Sequence, residues 1–240
     1  MRQFIFYDGS IFPSDLLSAL DADYEGYEEL RLKLAESGPK VGNDDQRADS
    51  MMVHLYNMLA DACERYGRTS RGGILRPGSG SAMYYVWLAK EHAGMREPGV
   101  GATAEGRKKG HALGANLAPS QGAQIRGPFS VLLSFSKLDY RQICNGGPVT
   151  MELSDSVFRN EESIHKVALL VRTFAQLDCQ QLQLNSLNVA QLRDAQLHPE
   201  LHKNLIVRVC GWSGYFCELG PEYQEQIIAR HMYTVALSLD

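Results

Sequence analysis

At 240 residues the chain is long enough to bury a sizeable core, as one large domain or two small ones. Hydrophobic residues make up 44% and charged residues 22%, which is ordinary for a globular protein, and the net charge of −4 lacks the basic footprint of a nucleic-acid binder. A membrane span would need about 18 consecutive apolar residues, and the sequence has no such run; the opening MRQFIFYDGS turns polar too soon for a signal peptide. The five cysteines, Cys63, Cys144, Cys179, Cys210 and Cys217, are odd in number and scattered, with no CxxC pair. They argue against a disulfide framework or a structural zinc site and point to a reducing cytoplasm.

The first third reads as helix. Residues 13–20 and 27–36 carry short helical patterns, and SGPKVGNDD (37–45) is a loop broken by Gly and Pro. A longer helix is expected from Asp45 to Tyr66. Met52, Leu55, Leu59, Ala62 and Tyr66 recur there at helical spacing, on one apolar face expected to join the core. From 67 to 127 glycine is dense, and only AMYYVWLAK (82–90) looks regular, as a strand or short helix. Interspersed Tyr, Trp, Leu and Arg mark this stretch as ordered loops within a domain, and a connection this long is expected to serve a purpose.

The last third is regular. Gly127-Pro128 opens an apolar segment to Leu138, with proline suited to a first helical position. Residues 161–178 form an amphipathic helix, QQLQLNSL alternates like a strand, and Asn188 is placed to cap a helix over 189–198. NLIVRVC is the next strand, and Gly220-Pro221 starts a C-terminal helix to about residue 236. Alternating strands and helices give an α/β class. The chain is read as a single domain over 1–240: helical to 66, glycine-rich loops over 67–127, α/β over 128–204, then a final loop and helix over 205–240.

Most candidate motifs dissolve on inspection. GVGATAEG does not fit G-x-G-x-x-G and has no apolar strand directly before it. EGRKKGH (105–111) reads as a solvated basic loop, although Arg107 in a glycine-rich setting is suited to clamp a carboxylate or phosphate. There is no HExxH and no G-x-S-x-G, and Pro199 breaks the helix that would align His198 with His202. RVCGWSGYF is different. It follows a strand, so Gly211 falls at a strand end or tight turn. On these residues alone, glycine supplying a positive φ and aromatics filling a core is a sufficient reading.

The wider sequence favours a second reading. LIVRVCGWSGYFCEL, followed by YQEQIIAR, resembles the C-terminal radical loop of the glycyl radical enzymes, where an Arg-Val-small-Gly-aromatic run carries the radical glycine. PKVGNDDQRAD (39–49), GATAEGRKKGHALGANLAPSQG (101–122), GPFSVLLSFSKLD (127–139) and LRDAQLHPELHKNLIVRV (192–209) resemble other segments of that family, in family order. The pattern is nearer the dehydratase, decarboxylase and lyase branch than pyruvate formate-lyase or the anaerobic ribonucleotide reductases. Trp212 stands where tyrosine is most common in the family. The catalytic Gly-Cys-x-Glu loop of the family is missing, since Cys63 and Cys217 each precede a glutamate directly. The chain therefore resembles only the C-terminal portion of such an enzyme.

The resemblance implies a mechanism. Gly211 stores the radical on its α-carbon, which the flanking amide nitrogen and carbonyl stabilise and which flattens because it bears no side chain. Arg208, Cys210, Trp212 and Tyr215 support the loop, Arg208 through carbonyls or a carboxylate, and Val209, Trp212, Tyr215 and Phe216 exclude water. Arg107 is a candidate for contact on the substrate side. No metal is bound; a separate activating enzyme using S-adenosylmethionine and an iron–sulfur cluster installs the radical. The implied fold is part of a ten-stranded α/β barrel with surrounding helices, whose exposed edges call for a second chain. That partner is expected to be a large subunit holding the Cys/Glu loop, and Met1 is read as the start of a separate small subunit. Two other roles stay open: a spare part replacing the oxygen-damaged end of a full-length enzyme, and a scaffold without radical chemistry.

Overall fold

The computed structural model describes residues 2–79, 99–230 and 232–233. The regular element expected over 82–90, and the end of the expected C-terminal helix over 234–236, lie outside the described residues.

A π-helical stretch (Arg2–Tyr7) leads into α1 (Pro13–Asp21), which begins on a proline, and α2 (Glu28–Ser37), with two glutamates in its first turn. Phe4, Ile11, Leu16, Ala19, Tyr24 and Leu34 form a small core of their own here. The Tyr24 hydroxyl donates to the Thr103 carbonyl at 2.8 Å, and Arg31 donates to the Gly106 carbonyl. These bonds seat the glycine-rich loop on the N-terminal helices.

Helix α3 (Gln46–Tyr66) starts where Asp45 accepts the Arg47 amide at 2.9 Å and stops at Gly67. Its core contacts differ from the expected face. Met52, Val53 and Tyr56 pack on the main core, whereas Leu55, Leu59 and Tyr66 are 57%, 45% and 76% exposed. The helix carries apolar residues around more than one side, and among the described residues the side next to buried Asp49 packs on the main core. Asp49 is held there by Lys137, 2.6 Å away, which also pairs with Asp44. Helix α4 (Pro128–Phe135) completes this joint, because its buried Ser134 hydroxyl accepts the amides of Gly42 and Asp44.

The centre of the domain is strand β1 (Pro148–Ser154). It is followed by α5 (Glu161–Gln176), capped by Asn160, and by β2 (Gln181–Leu187). Next come α6 (Val189–Leu197), capped by Asn188, and the hairpin β3 (Ile206–Arg208) with β4 (Ser213–Tyr215). Helix α7 (Pro221–Ile228) ends well short of residue 236, and the chain instead enters β5 (Met232–Tyr233). The sheet order is β2-β1-β5, with both pairings parallel. Val149, Met151 and Leu153 are essentially inaccessible, and Thr150 and Glu152 on the opposite face are nearly so. A parallel strand buried on both faces is the mark of a sheet covered on both sides. The α/β class agrees with the sequence reading, while the described residues form only three parallel strands and one hairpin, far fewer than the ten strands of the expected barrel.

Candidate radical-loop site

The hairpin is rooted in a compact core. Val207, Val209 and Phe216 are buried against Leu187, Leu192, Ala195, Ile227 and Ile228, drawn from β2, α6 and α7. Ile206 pairs with Tyr215, Val207 with Gly214 and Arg208 with Ser213, and the Val209 amide donates to the Trp212 carbonyl at 2.9 Å. Cys210 and Gly211 therefore form the tip. Gly211 takes φ +75°, a region where a Cβ is strained, yet no atom lies within 4 Å of the position a Cβ would occupy. Backbone conformation, not crowding, selects glycine here.

Trp212 folds back along its own strand, so closely that a Cβ on Gly214 would come within 2.8 Å of its ring. The second glycine of GWSG is thus the floor under the indole. Water exclusion differs from the expectation. Val209 and Phe216 are buried in the root of the hairpin, Trp212 is half-buried, and Tyr215 is 43% exposed. Gly211 itself is exposed. The residues expected to wall off the α-carbon support the hairpin from below and leave its tip open.

Cys210 points the other way. Its thiol is buried beside Ala115 and donates to Asn116 Oδ1 at 3.2 Å. Burial pushes the thiol up from its ordinary range, opposed in part by Asn116 and by the positive charges of Arg230 and Arg208, so the sulfur stays protonated at neutral pH. Gln183, from β2, accepts the Gly211 amide at 3.4 Å.

The carbonyl and carboxylate anchoring expected of Arg208 belongs to a different arginine. Arg208 donates to its cross-strand neighbour Ser213 at 3.2 Å. Arg230, only 8% exposed, donates to the Arg208 carbonyl at 3.1 Å, the Val209 carbonyl at 2.6 Å, Glu152 Oε1 at 2.8 Å and Gln226 Oε1 at 3.1 Å. The same carboxylate oxygen accepts Asn185 at 2.8 Å. The Nη1 and Nη2 groups of Arg107 donate to the backbone of its own loop, at the carbonyls of Val100, Gly101, Lys108 and His111. It is a brace of the glycine-rich loop, and no bond to the hairpin is seen.

A cavity of about 520 Å³ lies between the N-terminal helices and residues 116–120, and no residue of 205–219 lines it. Among the described residues no group of three or more His, Cys, Asp or Glu is arranged to hold a metal. Among the same residues no helix is long and apolar enough to cross a membrane. Sequence reasoning missed Asn116, Gln183, Glu152 and Arg230. Arg230, the last residue of YQEQIIAR, and Asn116, within GATAEGRKKGHALGANLAPSQG, lay in segments that resemble the family, but nothing in the sequence singled them out.

A family model described as glycine radical matches residues 113–217, and one described as pyruvate formate lyase-like matches residues 1–89. An Escherichia coli (strain K12) protein called Probable dehydratase YbiW is 32% identical over 238 residues, 96% of this chain and 28% of its own length. Isethionate sulfite-lyase of Bilophila wadsworthia is 30% identical over 96% of this chain and 27% of its own. Among solved structures, the glycerol-bound B12-independent glycerol dehydratase of Clostridium butyricum superposes with a TM-score of 0.87 at 29% identity, covering 96% of this chain and 28% of that one. The chain thus spans little more than a quarter of the length of the relatives it matches. Matched at both ends by the family's models and superposed almost throughout on one of its structures, the chain belongs to the glycyl radical enzymes and corresponds to a part of one.

Proposed function

We propose that this chain is the radical-bearing piece of a two-chain glycyl radical lyase, with Gly211 as the radical site. The observation that carries the reading is the hairpin tip: a glycine at φ +75°, exposed, on a backbone fixed from below. The matched glycine radical region includes this residue. Relatives named as dehydratase and sulfite-lyase support elimination from a small substrate as the reaction type.

In this reading a separate activating enzyme, using S-adenosylmethionine and an iron–sulfur cluster, removes one hydrogen atom from the Gly211 α-carbon. The glycyl radical then takes a hydrogen atom from a cysteine thiol: the S–H bond breaks, the Cα–H bond re-forms, and the thiyl abstracts hydrogen from substrate. Cys210 is unsuited to be that cysteine, because its thiol is buried, turned toward Asn116 and held protonated. No Gly-Cys-x-Glu sequence occurs in the chain. In this reading the cysteine lies on a large partner subunit, whose strands also complete the ten-stranded barrel around the exposed tip. Of the proposed site residues, Trp212 packs over Gly214 beside the tip, Tyr215 pairs with Ile206 at the far end of the ladder, and Arg208 braces β3 to β4.

The test is anaerobic. The chain is mixed with an activating enzyme and a large chain that carries Gly-Cys-x-Glu, and the electron paramagnetic resonance spectrum is recorded. A doublet that needs the large chain and yields product supports the two-chain enzyme. A doublet formed only with an oxygen-cleaved full-length enzyme points to a spare part, and no doublet with any partner leaves a scaffold.

A further inference from the structure

We infer that Arg230 is the positioning residue of the radical hairpin, an inference that rests on Gly211 being the radical site. Successive carbonyls of an extended strand point to opposite sides. Here the carbonyls of Arg208 and Val209 converge on one guanidinium, at 3.1 and 2.6 Å. That convergence marks where the chain leaves β3 and turns to present the tip two residues later.

Two further side chains fix the guanidinium itself. Gln226, one helical turn earlier in α7, accepts its Nε at 3.1 Å. Glu152, in the central strand, accepts Nη1 at 2.8 Å, and Asn185 of β2 donates to the same carboxylate oxygen. Two residues beyond Arg230, Met232 pairs with Glu152 in the parallel β1–β5 ladder, which sets the register of the arginine against its carboxylate. A planar fork of donors suits this task where the single ammonium of a lysine does not. The hairpin has only three residues in each strand, so its own ladder does little to fix its direction. Arg230 ties that direction to the strand at the centre of the sheet.

The consequence is alignment. Hydrogen-atom exchange between the Gly211 α-carbon and a thiol on another chain needs both atoms in near-attack geometry, and an error of about 1 Å costs on the order of 10²-fold in rate. Arg230 does not touch the reacting atoms. It acts through the Arg208 and Val209 carbonyls, keeping the α-carbon where a docked thiol meets it.

The experiment compares the wild-type complex with Arg230→Gln, Arg230→Lys and, as a surface ion-pair control, Arg193→Gln. Two readouts are taken. Amide hydrogen exchange over residues 205–215 reports the hairpin without any radical. In activated samples moved to D2O, collapse of the glycyl doublet to a singlet reports exchange of the α-hydrogen with a solvent-equilibrated thiol. Arg230→Gln is expected to lose protection in the hairpin while α6 keeps it, and to slow doublet collapse about tenfold or more. Arg230→Lys should recover part of both, and Arg193→Gln neither loses protection nor slows collapse. Wild-type protection and wild-type collapse in both Arg230 variants would overturn the inference. Loss of protection spread evenly over the whole domain would overturn it too, since it assigns the arginine to general stability. A wild-type chain that gives no doublet at all defeats the radical reading, and the hydrogen-exchange arm still judges the clamp.

Discussion

The root and the tip of the β3–β4 hairpin are built on opposite principles. At the root, Val207, Val209 and Phe216 are almost inaccessible, and a buried arginine with its carboxylate takes up two backbone carbonyls. At the tip, Gly211 is exposed and the space where a side chain would grow is empty. The contrast teaches where this chain's own sequence is spent, on holding a backbone still; in the proposed reading, covering the Gly211 α-carbon falls to another surface.

The sharpest way to break the contrast is Gly211→Ala. It should abolish the doublet completely, while the positive φ costs only about 1–2 kcal/mol of stability because no neighbour is displaced. Urea denaturation alongside the spectrum separates the two effects. At the root, Glu152→Ala strands the Arg230 charge in the interior and should destabilise by about 3–5 kcal/mol, read as a lowered denaturation midpoint. Phe216→Ala, a fully buried ring, should cost a similar amount, about 3–5 kcal/mol, by leaving a cavity.

Two smaller effects sharpen the picture. The Cys210 thiol is raised in the folded state, so the folded protein holds its proton more tightly than the unfolded chain. Its contribution to stability is complete below the ordinary thiol value of 9.0 and is lost as pH rises from there toward the folded value. Iodoacetamide at pH 8 should accordingly modify exposed Cys144 and spare Cys210, as mapped by mass spectrometry. The smallest change is expected from Tyr215→Ala. As an exposed side chain it should move the stability of this chain by no more than about 0.5 kcal/mol. A large loss there would mean that Tyr215 is covered.

Much of this was legible because capping and patterning are local. Asp45 and Asn188 announce their helices within a few residues, and the alternation of QLQLNSL announces β2. Gly211 was legible as a motif, from the residues on both sides of it. Strand β1 was not, because Thr150 and Glu152 interrupt its apolar run; both sit on a buried face, where Asn116 bonds the Thr150 hydroxyl and Arg230 bonds Glu152 Oε1. The clamp was hidden for the same reason. Arg230 meets a carboxylate 78 residues earlier in the chain, and no spacing in the sequence connects them. The exposed Leu55, Leu59 and Tyr66 show the converse: periodicity says that a helix has an apolar face, not which of its apolar sides the rest of the domain covers.

The most direct test of the central claim is chemical. A glycyl radical reacts with oxygen at its own α-carbon and the backbone breaks there. The activated complex should be exposed to air and this chain weighed intact by mass spectrometry. The account predicts a truncation that maps to Gly211, in proportion to the doublet lost and absent from Gly211→Ala. An uncut chain, or a cut at any other residue after a doublet has been recorded, would contradict it.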